Sequence, residues 1–152
     1  MTVNSLKAIK AYHYFWAVSI IFGFLTCVSY VSGDNSTLDI NVHDTYFVIA
    51  HAHLYTVLSV LYLIPGLIYW LSKNLRLVSA LTVIHTVVTV GGFIAYLLLW
   101  KITSTIYNPD NSMDNSMEIF NTGIMIIFLL VLFAQPLLLI NLIIGLAKKI
   151  KQ

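Results

Sequence analysis

The chain has 152 residues, of which 59% are apolar and only 9% are charged, and its formal net charge is +2. This composition excludes an ordinary soluble domain, in which about a quarter of the residues are charged. We therefore expect an integral membrane protein that lies in the lipid bilayer. No basic stretch of the kind that binds nucleic acid occurs, so no nucleic-acid partner is expected.

Four apolar segments follow one another along the chain, and each has the ~20 residues that a helix needs to cross a bilayer. They run roughly from Ala11 to Val31, Tyr46 to Leu71, Leu77 to Trp100, and Ile119 to Ala147. The first is longer than the apolar part of a signal peptide and has no small-residue cleavage site after it, so we expect it to stay in the mature protein. The sequence predicts an all-α membrane protein, with residues 1–152 forming a single domain of four transmembrane helices.

The basic residues predict how these helices are oriented. Of eight Lys and Arg residues, Lys101 alone falls in the connection after the third segment. The others lie at the two termini or in the second connection: Lys7, Lys10, Lys73, Arg76, Lys148, Lys149 and Lys151. Because basic residues collect on the cytoplasmic side, both termini are predicted to be cytoplasmic, in a multi-pass protein of the cytoplasmic (inner) membrane.

Two histidines, His51 and His53, lie close to the start of the second segment. On an α-helix they point about 200° apart, so they cannot ligate one metal together, although each could ligate a different one. If the helix starts near Tyr46, both lie ~8–10 Å below the outer surface. The spacing leaves two interpretations open, which are structural hydrogen bonding and axial ligation of haem iron.

The third segment carries a polar stripe at helical spacing, formed by Thr82, His85, Thr86 and Thr89. Such a stripe is consistent with hydrogen bonds between helices. It is also consistent with a path for protons or a wall facing a quinone, and the sequence does not decide among these.

A family resemblance is carried by residues 35–53, which read N-S-T-L-D-I-N-V-H-D-T-Y-F-V-I-A-H-A-H. This stretch resembles, without gaps, the tenth-helix region of the catalytic subunit of the haem-copper oxidases (cytochrome c oxidase subunit I), N-S-S-L-D-I-x-x-H-D-T-Y-Y-V-V-A-H-F-H. More weakly, Ile84-His85 resembles a pair in the eleventh helix and residues 107–110 resemble a loop before the twelfth. The whole chain therefore resembles the last four helices of a twelve-helix subunit.

The resemblance implies roles for four residues. The residue matching His51 is the axial ligand of the haem at the oxygen-reducing centre, and the one matching His53 ligates the neighbouring low-spin haem. The pair matching His43 and Asp44 lies by the haem propionates and an outer metal ion. For that pair the residues themselves also allow a turn with a helix cap.

Departures from the family pattern bear on activity. The aromatic residue that the family places between its two ligands is Ala52 here, and the following tyrosine is Leu54. The histidines that ligate copper in the family, including an H-P-E-V-Y type motif, have no counterpart, so no copper is expected. Oxygen reduction by this chain alone is not expected either, which leaves open whether it is an enzyme.

Each low-spin haem needs a second axial ligand, and depth limits the choice. His13 and His85 both lie nearer the cytoplasmic side than His51 and His53. The resemblance indicates another source of the second ligand, because the family subunit arranges its helices as three four-helix arcs around a pseudo-threefold axis. A chain resembling one arc is expected to form a homotrimer in which His51 of one protomer and His53 of the next hold a b-type haem.

Filling both axial positions favours electron transfer or redox sensing over oxygen chemistry, with a quinol or a cytochrome as electron donor. Two alternatives remain open from the sequence. One is a haem-carrying subunit of a terminal oxidase whose copper comes from a partner chain. The other is a haem-free structural or transport protein.

Overall fold

The structure is a computed structural model that describes residues 3–42, 44–106 and 116–150. It contains four long helices: α1 (Val3–Ser32), α2 (His51–Leu71), α3 (Ser79–Ile106) and α4 (Ser116–Ile150). Each includes a segment long and apolar enough to cross a membrane: Ala11–Ser32, His51–Asn74, Ser79–Ile106 and Glu118–Ile150. The prediction of four helices that are long and apolar enough to cross a membrane is confirmed.

One predicted boundary is wrong. The second helix begins at His51 and not near Tyr46, because residues Thr37–Val42 (β1) and Thr45–Ala50 (β2) form an antiparallel hairpin. The fold is therefore not all-α in this region. β2 is rich in aromatic and β-branched residues, which favour a strand when a partner strand is available. Judged by hydropathy alone, these residues would be assigned to the helix that follows them.

The end of α1 directs the chain into this hairpin. Gly33 has a φ of +64°, a left-handed conformation that glycine adopts without steric cost. The backbone N–H of Asp34 donates to the carbonyl of Ser29 at 3.1 Å, which is the bond that closes a Schellman motif. The turn thus brings residues 34–36 back toward the start of α2.

The register of the hairpin then selects the residue opposite His51. Thr37 pairs with Ala50 at the open end of the hairpin. Continuing the same register by one residue sets Ser36 opposite His51. The backbone N–H of His51 donates to the carbonyl of Ser36 at 3.1 Å, which satisfies one of the free N–H groups at the start of α2. Directly opposed residues have their side chains on the same face of a hairpin, so the Ser36 and His51 side chains meet.

The core is an aromatic cluster between α1, α2 and α3. Phe15 and Phe22 of α1 are almost fully buried, together with Tyr62 and Tyr69 of α2. The ring of Phe22 meets the edge of Phe93 from α3 at 4.8 Å. α1 packs mainly on α2 and α3 mainly on α4, while contacts between α1 and α3 join the two pairs.

Candidate functional site

His51 and His53 occupy the first turn of α2. His51 is half-buried, whereas His53 is exposed and its ring meets the edge of the Tyr30 ring at 6.4 Å. Since both residues are helical, they lie about 200° apart around the axis, as the spacing predicts. The predicted depth is counted from a helix start near Tyr46, whereas α2 and its apolar span begin at His51 itself. His51 and His53 therefore lie at the N-terminal end of the helical span.

Three polar side chains at this end form what we call the hairpin network: Asp34, Ser36 and His51. The Ser36 hydroxyl Oγ lies 2.6 Å from His51 Nδ1. The same hydroxyl donates to Asp34 Oδ2 at 2.8 Å, and the Ser36 backbone N–H donates to Asp34 Oδ1 at 2.9 Å. Asp34 therefore holds Ser36 through both carboxylate oxygens, and Ser36 holds the imidazole.

The directions of these bonds fix the tautomer of His51. The Ser36 N–H, and then its hydroxyl, hold the pKa of Asp34 below its ordinary value, so Asp34 is a carboxylate at neutral pH and can only accept. Because the single Ser36 hydroxyl proton goes to Asp34, the Ser36 oxygen must accept from Nδ1–H of His51. A neutral His51 then carries its lone pair on Nε2.

Beside His51 lies a cavity of about 130 Å³. Tyr55 stacks on the His51 ring with centroids 5.7 Å apart. The lining is otherwise largely aromatic and comes from α1, α2 and α3: Phe22, Leu25, Tyr55, Phe93, Tyr96, Leu97 and Trp100.

The size of this cavity limits what one chain can enclose. A cavity of about 150 Å³ holds benzene, and pockets for drug-sized ligands begin near 300 Å³. This cavity, as the described residues line it, does not enclose enough space for a porphyrin, although the imidazole of His51 beside it is a donor suited to haem iron. A haem on His51 would have to lie across the mouth of the cavity.

The remaining pair from the resemblance is only partly described. His43 lies outside the described residues, as do residues 107–110. Asp44 is exposed in the turn of the hairpin, several residues before α2. The residue at the N-cap position of α2 is Ala50, which makes no side-chain cap bond, so the interpretation of Asp44 as a helix cap is wrong and that of a turn is confirmed.

In the polar stripe of α3, His85 has defined partners. It is fully buried and stacks on Phe15 with centroids 5.4 Å apart. Gln135 donates its amide to the Val131 carbonyl at 2.8 Å, which turns its oxygen toward His85 Nε2 at 3.4 Å. Nε2 must then carry the proton, and Nδ1 accepts from the Tyr69 hydroxyl at 3.0 Å. These bonds join α2, α3 and α4, so they favour the structural interpretation of His85.

The other stripe residues also face helix partners. Asn141 of α4 donates to the Thr82 hydroxyl at 2.8 Å and accepts from the backbone N–H of Val78 at 2.7 Å. The Thr89 carbonyl accepts from the Tyr62 hydroxyl at 2.8 Å. Within the described residues, the hydroxyl of Thr89 is buried without a partner. The stripe is therefore built mainly as contacts between helices.

Neither His13 nor His85 can complete a haem site with His51 or His53. His85 bonds Tyr69, and the distance along α2 from residue 53 to residue 69 is about 24 Å at about 1.5 Å per residue. His13 lies about 26 Å along α1 from Tyr30, the neighbour of His53. Both are far beyond the reach of an axial ligand.

No family model, no curated protein and no solved structure matches this chain. Within residues 3–42, 44–106 and 116–150, no group of three or more His, Cys, Asp or Glu side chains could hold a metal ion. The resemblance of residues 35–53 to the haem-copper oxidases stays a prediction that those residues carry.

Sequence reasoning missed several residues that the structure places in these networks. Asp34 and Ser36 are ordinary loop residues in sequence, and nothing local points to His51, which is 15 residues beyond Ser36. Gln135 and Asn141 did give a signal, because a polar amide is costly in the most apolar of the four spans unless it has a partner.

Proposed function

We propose that this protein is a membrane-embedded b-type haem protein that forms a homotrimer and transfers electrons or senses redox state. His51 of one protomer and His53 of its neighbour are the axial ligands of each haem. Both termini are cytoplasmic, so the histidines lie at the outer side of the cytoplasmic membrane.

The observation that carries this proposal is the hairpin network. A histidine that binds a metal usually donates its other ring N–H to an oxygen acceptor, which orients the ring and raises its basicity. His51 has this arrangement, with Nδ1 held by Ser36 and Nε2 left to donate its lone pair. It lies beside an aromatic cavity, a setting that suits one edge of a porphyrin.

The second ligand comes from another copy of the chain. Within one protomer, His13 and His85 are about 24 Å or more away from His51 and His53 along the helices. His53 is exposed and faces away from His51, so it is accessible to a neighbour. A closed ring in which each His53 meets the next His51 uses both faces of α2, and three copies match the arc arrangement that the resemblance implies.

A haem with two histidine ligands has no open axial position, so it supports electron transfer and not oxygen chemistry. The electron donor is then a membrane quinol or a cytochrome. Asp44, in the exposed turn of the hairpin, and His43 beside it in sequence are candidates for the surroundings of the haem propionates.

The test is the optical spectrum of the purified protein expressed with ample haem, together with the ratio of haem to chain. We expect a low-spin b-type spectrum and one haem per chain. Both His51→Ala and His53→Ala should lose the low-spin signal at every site, because each substitution removes one ligand from each haem. His13→Ala is the matched control and should keep the wild-type spectrum.

Four outcomes would contradict the proposal. A wild-type protein without a Soret band would favour the haem-free structural or transport alternative. Low-spin haem retained in both alanine variants would exclude these ligands, and two haems per chain would exclude sharing between protomers. A copper-containing partner that co-purifies would favour the alternative of a haem-carrying oxidase subunit.

A further inference from the structure

We infer that Asp34 and Ser36 are positioning residues that hold His51 as a strong electron donor and thereby lower the reduction potential of the haem. This inference rests on the proposed function, since it assigns a role to two residues that do not touch the haem. The two residues act on Nδ1 of His51, the ring nitrogen that would not bind the iron.

The geometry supports a positioning role because each link is short and each link is oriented. Asp34 binds both the N–H and the hydroxyl of Ser36, at 2.9 and 2.8 Å, so that the Ser36 hydroxyl is held with its proton on Asp34 and its lone pairs free to accept. His51 is held from two directions as well, by its backbone N–H on the Ser36 carbonyl and by Nδ1 on the Ser36 hydroxyl. The imidazole plane is thus set before any ligand binds Nε2.

The negative charge of Asp34, at the far end of the hairpin network, makes His51 a stronger donor. A hydroxyl that donates to a carboxylate is a better acceptor, because hydrogen bonds in a chain polarise one another. Nδ1–H is therefore drawn toward Ser36, and the electron density available at Nε2 rises. A more basic ligand stabilises ferric iron more than ferrous iron, so the haem is harder to reduce.

The first measurement needs no haem. In haem-free protein, the ¹⁵N shifts of the His51 ring report which nitrogen carries the proton, and we expect the proton on Nδ1. Ser36→Ala removes the acceptor, so the proton should redistribute toward Nε2, whereas Ser36→Thr keeps a hydroxyl and should keep the wild-type tautomer. Ser32→Ala is the matched control, since Ser32 bonds only the Ser29 carbonyl of its own helix.

The second measurement is a redox titration of the haem-loaded protein. We expect Ser36→Ala to shift the ratio of ferrous to ferric haem at a fixed potential by about tenfold toward ferrous, which is about +59 mV for one electron. Asp34→Asn should shift it in the same direction by less, because the serine contact remains and the charge is lost. Asp39→Asn, an exposed carboxylate on β1, is the control and should leave the potential unchanged.

The outcomes separate this inference from the proposed function. Wild-type protein that binds no haem contradicts the proposed function, while the tautomer experiment still tests whether Ser36 orients His51. Haem bound with the same potential in wild type, Ser36→Ala and Asp34→Asn overturns the inference and leaves the proposed function standing. A wild-type His51 protonated on Nε2 in the haem-free protein also overturns it.

Discussion

At the scale of single residues, the histidines differ in how many of their two ring nitrogens have hydrogen-bond partners. His85 has both ring nitrogens engaged, by Tyr69 and Gln135, and is fully buried, so no lone pair remains for a ligand. His51 has Nδ1 engaged by Ser36, and its Nε2 bonds none of the residues that the structure describes. The sequence alone predicts which histidines lie in apolar spans, but their partners depend on contacts 15 to 50 residues away.

Asn141 joins α4 to α3 and to the residue just before it through three side-chain hydrogen bonds. It is fully buried and bonds Val78 and Thr82. We expect Asn141→Leu to lower the free energy of unfolding by about 1–3 kcal/mol, because it leaves buried polar groups without partners. Circular dichroism during titration with a denaturing detergent measures this.

Asn121→Leu is the matched comparison. The side-chain oxygen of Asn121 is buried and bonds none of the described residues, so its replacement by leucine should be neutral or stabilising. Equal destabilisation by the two substitutions would contradict the role assigned to Asn141.

The lowered pKa of Asp34 predicts that the stability of the hairpin network depends on pH. Because the Ser36 N–H and hydroxyl hold the pKa of Asp34 below its ordinary value of 3.8, its stabilising contribution is fully present above pH 3.8. The contribution is lost as the pH falls through the lowered pKa. The amide signal of Ser36, followed by NMR, should titrate with a midpoint below 3.8, and a midpoint above 3.8 would show that these two bonds do not form.

At the scale of elements, the close approach of α1 and α2 depends on one small residue. A Cβ placed on Gly66 would lie 2.4 Å from Trp16 Cδ1 and 3.3 Å from the Cβ of Phe15. Glycine therefore permits the spacing at which the aromatic core between these helices closes. By contrast, a Cβ on Gly91 of α3 would meet nothing within 4 Å.

Gly66→Ala should therefore destabilise the protein by about 1–3 kcal/mol, since the Trp16 ring has to move out of a packed interface. Gly91→Ala should be neutral or stabilising, because alanine has the higher helix propensity and the space is open. Both are measured by the same detergent titration. Destabilisation by Gly91→Ala alone would contradict this account of the α1–α2 interface.

The helices could be predicted from sequence much better than the hairpin. Spans of ~20 apolar residues identify all four helices, because the bilayer imposes that length. Residues 46–50 are apolar too, and their strand conformation depends on pairing with β1, which hydropathy does not report. The pairing of Ser36 with His51 follows from that register, so the hairpin network could not be predicted once the strands were missed.

At the scale of the whole molecule, large apolar side chains cover the outside of every helix, as a bilayer requires. α4 is the most apolar span and the one with the smallest buried share. In the proposed trimer, the exposed side chains of His53 and Tyr30 would lie on the side where a neighbouring protomer brings its His51. Among the described residues, His53 is the exposed imidazole in the first turn of α2 that this arrangement would use.

Mixed trimers provide a decisive test of sharing between protomers. We expect His51→Ala and His53→Ala proteins, each without low-spin haem when expressed alone, to recover it when expressed together, because a protomer that keeps His51 can meet one that keeps His53. With equal, random mixing, about a quarter of the wild-type sites should return, since an interface needs the two kinds in one order. Haem absorbance per chain, measured on particles whose mass equals three chains, reports this fraction. No recovery in mixed particles would contradict the sharing of each haem between His51 of one protomer and His53 of the next.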